Sequence, residues 1–193
     1  FRIPGIGVTF KDNGGTPTQG HVLTVDANGE ASFAAASGGG GGLTSDAQGN
    51  TVGGSNAGDS FDGTNAQYNT LIGKDAGTAI TGGDRNTVLG YQAFQNATNA
   101  SYNVAIGYHA LYTYNQSAIT GQVVAIGDRA AYDLTDGRNS VFVGASAGNN
   151  VTNGGENVII GSYCGTQLVS GSNNIILGQG AQATATGVSN EIT

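Results

Sequence analysis

The apolar residues of this chain recur in a fixed frame from about residue 50 onward. Runs such as NTLIG (69–73), NTVLG (86–90), NVAIG (103–107) and NVIIG (157–161) set a polar residue, a short apolar stretch and a glycine in the same order. Aligned on that glycine, the anchors are Gly54, Gly73, Gly90, Gly107, Gly127, Gly144, Gly161 and Gly178, at steps of 19, 17, 17, 20, 17, 17 and 17 residues. Four residues before the anchor stand Asn50, Asn69, Asn86, Asn103, Val123, Ser140, Asn157 and Asn174. Three after it the chain has alanine in every repeat except one, where Cys164 replaces it. Seven after it, from Phe61 to Ala185, every residue is apolar or aromatic. Agreement among four columns marks an internal repeat, the signature of an architecture built by stacking.

Seventeen residues are too few for a helical hairpin and suit one coil of a β-solenoid. The sequence therefore predicts an all-β fold: a solenoid, or β-roll, of about eight coils over residues 50–193. Each coil is expected to hold a three-residue strand before the glycine, a second short strand near the +7 position, and two turns. Glycine at the corner takes positive φ without strain. Alanine at +3 fits a crowded inside position. Asparagine repeated at one corner can form an amide ladder from coil to coil.

Successive strand residues point to opposite faces. The bulky pairs at −3 and −1, such as Val104/Ile106 and Val158/Ile160, are expected to point into the coil. The −2 residues, among them Leu71, Val88, Phe142, Ile159 and Ile176, are then expected to point out as a continuous apolar stripe. A soluble protein does not leave such a stripe in water. It is read as the interface of a homo-oligomer, with three chains around an axis as the simplest closed arrangement.

Two positions break the period. The turn preceding each asparagine column is longer at 62–68 and at 115–122, and insertions in a solenoid collect on an edge that often binds. Tyrosines crowd beside the second insertion. Tyr91, Tyr108, His109, Tyr112, Tyr114, Asn115 and Gln116 are the candidate receptor-binding residues, because tyrosine offers flat amphipathic contact to sugars or protein.

Upstream, HVLTV and EASFA flank Asp26-Ala27-Asn28-Gly29, a hairpin cue. Residues 1–36 are read as a small β attachment module. The glycine-rich stretch 37–49 is read as a flexible linker.

Composition then narrows the function classes. Thirteen acidic residues against six basic ones give a net charge of −7, a poor footprint for nucleic acid. No stretch approaches the 18 apolar residues of a membrane span. The single cysteine, Cys164, has no partner for an intrachain disulfide and is read as a small buried thiol. No G-x-S-x-G elbow exists, and His21 and His109 lie in different modules. The carboxylates Asp75, Asp84, Asp128, Asp133, Asp136 and Glu156 scatter over turns. No enzyme, metal or cofactor is expected.

The coils NVAIG, NTVLG and NVIIG, each followed by x-x-Ala or x-x-Cys, resemble those of trimeric autotransporter adhesin heads. The coil here is longer than is usual there and looks more like bacteriophage tail fibres and tail spikes. The closing GVSNEIT (187–193) looks like the lead-in to the chaperone domain that trimerises such fibres, and GTPTQG with the hairpin resembles their connector modules. The resemblance implies a virion fibre segment, outside the cell on a tail or capsid surface. Its partners would be two further copies of itself, other virion proteins through the N-terminal module, and a host glycan or protein. A capsid decoration or collar trimer, or a bacterial trimeric adhesin head, is the alternative.

Overall fold

The computed structural model describes residues 21–25, 31–35, 43–115 and 121–193, the first two stretches as backbone alone. The chain divides into two compact units, Phe1–Gly40 and Gly41–Thr193. In the first, β1 (His21–Val25) pairs antiparallel with β2 (Ala31–Ala35), Leu23 opposite Phe33. These are the strands of the expected hairpin, the second set one residue later. Its Asn-Gly turn lies outside the described residues.

Among its described residues the second unit has nine strands in one sheet, in sequence order. They are β3 (Thr44–Ser45), β4 (Thr51–Gly53), β5 (Thr70–Ile72), β6 (Thr87–Leu89), β7 (Val104–Ile106), β8 (Val124–Ile126), β9 (Val141–Val143), β10 (Val158–Ile160) and β11 (Ile175–Leu177). From β4 to β11 the strands are parallel and in register column by column, as in Leu71↔Val88 and Ile159↔Ile176. One coil separates each strand from the next, so seven complete turns join the eight strands of a β-solenoid. β3 runs antiparallel to β4. The stretch read as a linker to residue 49 thus ends sooner, because Thr44 and Ser45 pair with the first coil's strand.

The second strand expected near +7 does not form. After each corner glycine from Gly54 to Gly161 the chain makes two successive turns, such as Ala147 N–H to Gly144 O at 3.1 Å and Val151 N–H to Gly148 O at 3.0 Å. The physical reason lies in the dihedrals. The +2 residue takes positive φ in every coil (His109 55°, Arg129 53°), and so does the +4 residue in all but the last (Gly77 55°, Leu111 51°, Gly148 55°). Left-handed residues at such short spacing curl the chain too tightly for a strand. Coil-to-coil hydrogen bonds continue through these turns nonetheless, for example His109 N–H to Tyr91 O at 3.0 Å.

The asparagine column forms a buried ladder. Asn69 Oδ1 accepts the backbone N–H and the Nδ2–H of Asn86 at 2.9 and 3.0 Å, and Asn86 Oδ1 accepts both from Asn103 at 3.0 and 3.1 Å. The other amide proton of Asn69 goes to Gly83 O, and that of Asn86 to Ala100 O.

This ladder corrects the expected facing of the strands. Side chains at −4 and −2 lie on the same face of a strand, and the asparagines face inward, where their own column and the adjoining turn carbonyls satisfy them. The −2 residues Leu71, Val88, Phe142, Ile159 and Ile176 are therefore inside a single chain's coil, each 0 % exposed. They are core, and the outward stripe is formed by −3 and −1 instead. Ala76, Ala93, Ala110, Ala130 and Ala147 at +3, Phe94, Leu111 and Ala131 at +4, and Ile80, Leu134, Val151 and Leu168 at +7 join them in the core, with Cys164 in the alanine column. The Cys164 thiol donates to Ile176 O at 3.2 Å, and burial raises its pKa.

The corner glycines let coils close on one another. A Cβ at Gly54 would lie 2.7 Å from the Gly73 carbonyl, and one at Gly107 would overlap the Gly127 carbonyl. Gly178 has comparable φ (118° against 134°), but a Cβ there would meet nothing nearer than Ala181 Cβ at 3.9 Å. The two sites separate backbone strain, which they share, from overlap, which only one has. Gly107→Ala is expected to lose about 1–3 kcal/mol more than Gly178→Ala in urea unfolding. Equal losses would show that dihedral strain alone keeps glycine in this column.

Candidate binding site

In the coils around Gly90, Gly107 and Gly127 the residues at +1, +2 and +5 lie outside the buried core, and stacking brings one column's members together. At +1 stand Lys74, Tyr91 and Tyr108 on successive coils. At +2 stand Gln92, His109 and Arg129, and at +5 Tyr112 and Tyr132. Tyr91 and Tyr108 stack with centroids 5.5 Å apart and planes 10° from parallel. Tyr112 and Tyr132 stack at 5.1 Å and 2°. His109 sits between the two stacks, 3.9 Å from the Tyr108 centroid and 4.8 Å from that of Tyr112. Lys74 Nζ lies 5.8 Å from the Tyr91 centroid and the Arg129 guanidinium 5.9 Å from that of Tyr108. The first stack is thus capped by a cation at each end, an attraction between positive charge and ring faces.

His109 Nε2 is 2.7 Å from Gln92 Oε1. Since an amide oxygen only accepts, Nε2 carries the proton and donates. Desolvation among the rings lowers the imidazole pKa, Arg129 lowers it further, and Asp128 opposes both.

Four of the expected receptor-binding residues, Tyr91, Tyr108, His109 and Tyr112, come together here. Tyr114 does not. It is the +7 residue of its coil, fully buried and stacked on Phe94, with its hydroxyl donating to Gly137 O at 2.6 Å. Burial and the charge of Asp136 both raise its pKa. Asn115 is exposed, and its Oδ1 accepts from Thr98 N–H and Oγ1–H at 3.2 and 2.8 Å. Gln116 lies outside the described residues. The sequence reading missed Tyr132, Gln92, Lys74 and Arg129. Tyr132 was visible as the +5 partner of Tyr112 one coil on. The two cations had no signal beyond their columns.

Other polar groups form local networks. At −5, Arg85 lies 5.3 Å from the Tyr68 ring centroid and 5.4 Å from that of Tyr102, whose hydroxyl accepts from Nη1 at 3.1 Å. In the turn insertion at 62–68, Asp62 accepts from the backbone N–H groups of Thr64 and Asn65, which holds its pKa well below the usual carboxylate range. Among the described residues no three His, Cys, Asp or Glu side chains converge as metal ligands would.

A second surface is the outward face of the sheet. Its −3 and −1 residues are Val, Ile or Leu throughout β7 to β11, and Leu89, Ile126, Ile160, Ile175 and Leu177 are exposed, Leu177 by 52 %. No protein-family model matches the chain, and neither a curated protein nor a solved structure does.

The lowered imidazole pKa gives a test of the site. Between the folded pKa and the ordinary value of 6.5 the unfolded chain binds more protons. The contribution of His109 to stability is therefore complete above pH 6.5 and is lost as pH falls toward the folded pKa. In an NMR titration the His109 ring protons are expected to shift with a midpoint below 6.5. A midpoint at or above it would place the ring in water, away from the tyrosines.

Proposed function

We propose that the chain is a non-enzymatic segment of a virion fibre. In this reading it assembles as a homotrimer through the outward face of its sheet and presents turn residues to a host receptor. The observation that carries the reading is the apolar −3/−1 face. Eight strands at about 4.8 Å spacing, each three residues long, make a strip of roughly 34 by 10 Å, and its β7 to β11 part, roughly 19 Å long, has only Val, Ile or Leu on this face. Its length suits side-by-side packing around a common axis better than a broad two-chain plane. Water on exposed valine, isoleucine and leucine side chains costs free energy that burial between chains removes, at about 25 cal/mol per Å². The interface argument made from the sequence thus keeps its form with the faces exchanged. The interface residues become Leu89, Ile126, Ile160 and Leu177, in place of the buried −2 set. The β1–β2 hairpin would serve attachment to other virion proteins.

Light scattering of the purified chain is expected to give three times the monomer mass. Ile126→Asp and Ile160→Asp, on the outer face, are expected to release monomers that keep the β circular-dichroism spectrum, whereas Ile159→Asp, inside the coil, unfolds the chain. A wild-type monomer at micromolar concentration would remove the fibre reading.

A further inference from the structure

The repeat supplies its own control for the surface around His109. Coil geometry does not require aromatic residues at these columns, since +1 is Ser55, Ala145 and Ser162 in other coils and +5 is Thr78 and Thr166. Nor are the Tyr91–Tyr108 rings needed to hold their coils together, because Asn86 and Asn103 join those coils with an intact amide rung. Half of the chain's eight tyrosines nevertheless gather here.

The arrangement selects a chemistry. Lys74 covers one face of Tyr91 and Tyr108 the other, so the stack offers ring edges and hydroxyls rather than open faces. That suits a ligand rich in hydroxyl groups. Among the described residues the one side-chain ion pair is Arg85 with Asp84, which leaves Lys74 and Arg129 without a carboxylate within 4.0 Å. The two cations are three coils apart, roughly 14 Å along the stacking axis at about 4.8 Å per coil. Asp128, beside Arg129, and the net charge of −7 repel densely charged polyanions and favour a sparsely charged one.

We propose that this face binds an acidic glycan lying along the stacking axis, with carboxylate or sulfate groups on Lys74 and Arg129 and sugar hydroxyls on the tyrosine edges and the Gln92 amide. The proposal deepens the receptor-binding part of the fibre reading and rests on it only for its biological setting.

The test places the intact chain on an array of neutral, carboxylated and sulfated oligosaccharides, with polyglutamate as a non-sugar acid. Acidic oligosaccharides are expected to be retained, and binding is expected to weaken as salt is raised. The double variant Lys74→Gln/Arg129→Gln should lose at least ~tenfold in affinity, about 1.4 kcal/mol. Tyr91→Ser and Tyr108→Ser borrow the serine of the protein's own +1 column and should weaken binding while circular dichroism is unchanged. Equal retention of neutral sugars that the double variant leaves intact overturns the proposal, as does retention of polyglutamate in place of sugars, or of no oligosaccharide at all. A monomer that still retains acidic sugars removes the fibre reading and keeps this site. A trimer that retains none does the reverse.

Discussion

The buried amide ladder fixes everything else about the coil. An asparagine with its side chain inside has two acceptor lone pairs and two amide protons to satisfy, and a buried orphan costs about 1–3 kcal/mol. The neighbouring coil meets that need only if it lies one strand spacing away and in register. The ladder therefore sets stacking distance, register and strand facing together. Because −4 points in, −2 must point in, and the bulky −3 and −1 residues are left outside. The apolar outer seam follows from the polar inner ladder.

Stacking at that distance imposes a second condition at the opposite end of the strand. Each corner glycine but the last, Gly178, brings its backbone so close to the next that a methyl group would overlap a carbonyl. The −4, corner and +3 positions are thus held mostly to Asn, Gly and Ala by neighbours above and below, while the outward turn residues around His109 stack on one another. Sequence variation collects at +1, +2 and +5, where it alters the surface and leaves the stack unchanged. Such a division suits a protein whose binding properties change while its scaffold does not.

The repeat, the corner glycines and the amide ladder were legible because each column repeats one residue type for one physical reason. Facing was not legible from hydrophobicity. Val158, Ile159 and Ile160 are all apolar, so the strand's period of two leaves no contrast to read. The polar column carried the answer, since burial of Asn157 determines the side on which Ile159 lies. The second turn was hidden differently. Gly58, Gly77, Gly148 and Gly165 mark +4 as left-handed, but Phe94, Leu111 and Ala131 occupy the same conformation without glycine. Tyr114 belonged to the apolar +7 column, and that membership outweighed its closeness to the surface tyrosines.

The ladder is broken in one region, and the aromatic site begins just before it. Val123 has no side-chain amide, and Ser140 offers one hydroxyl, so the amide-to-amide chain that ends at Asn103 restarts only at Asn157. In that interval other groups tie the coils together. The Thr113 hydroxyl donates to Tyr132 O at 2.7 Å, the Tyr114 hydroxyl reaches Gly137 O, and the Tyr112–Tyr132 stack adds about 0.5–1.5 kcal/mol beyond its buried area. The two stacks therefore differ in kind. Tyr112–Tyr132 joins coils where the amide rung is missing and has a structural reason to exist. Tyr91–Tyr108 joins coils whose rung is complete, and its rings and flanking cations are left for a task outside the stack.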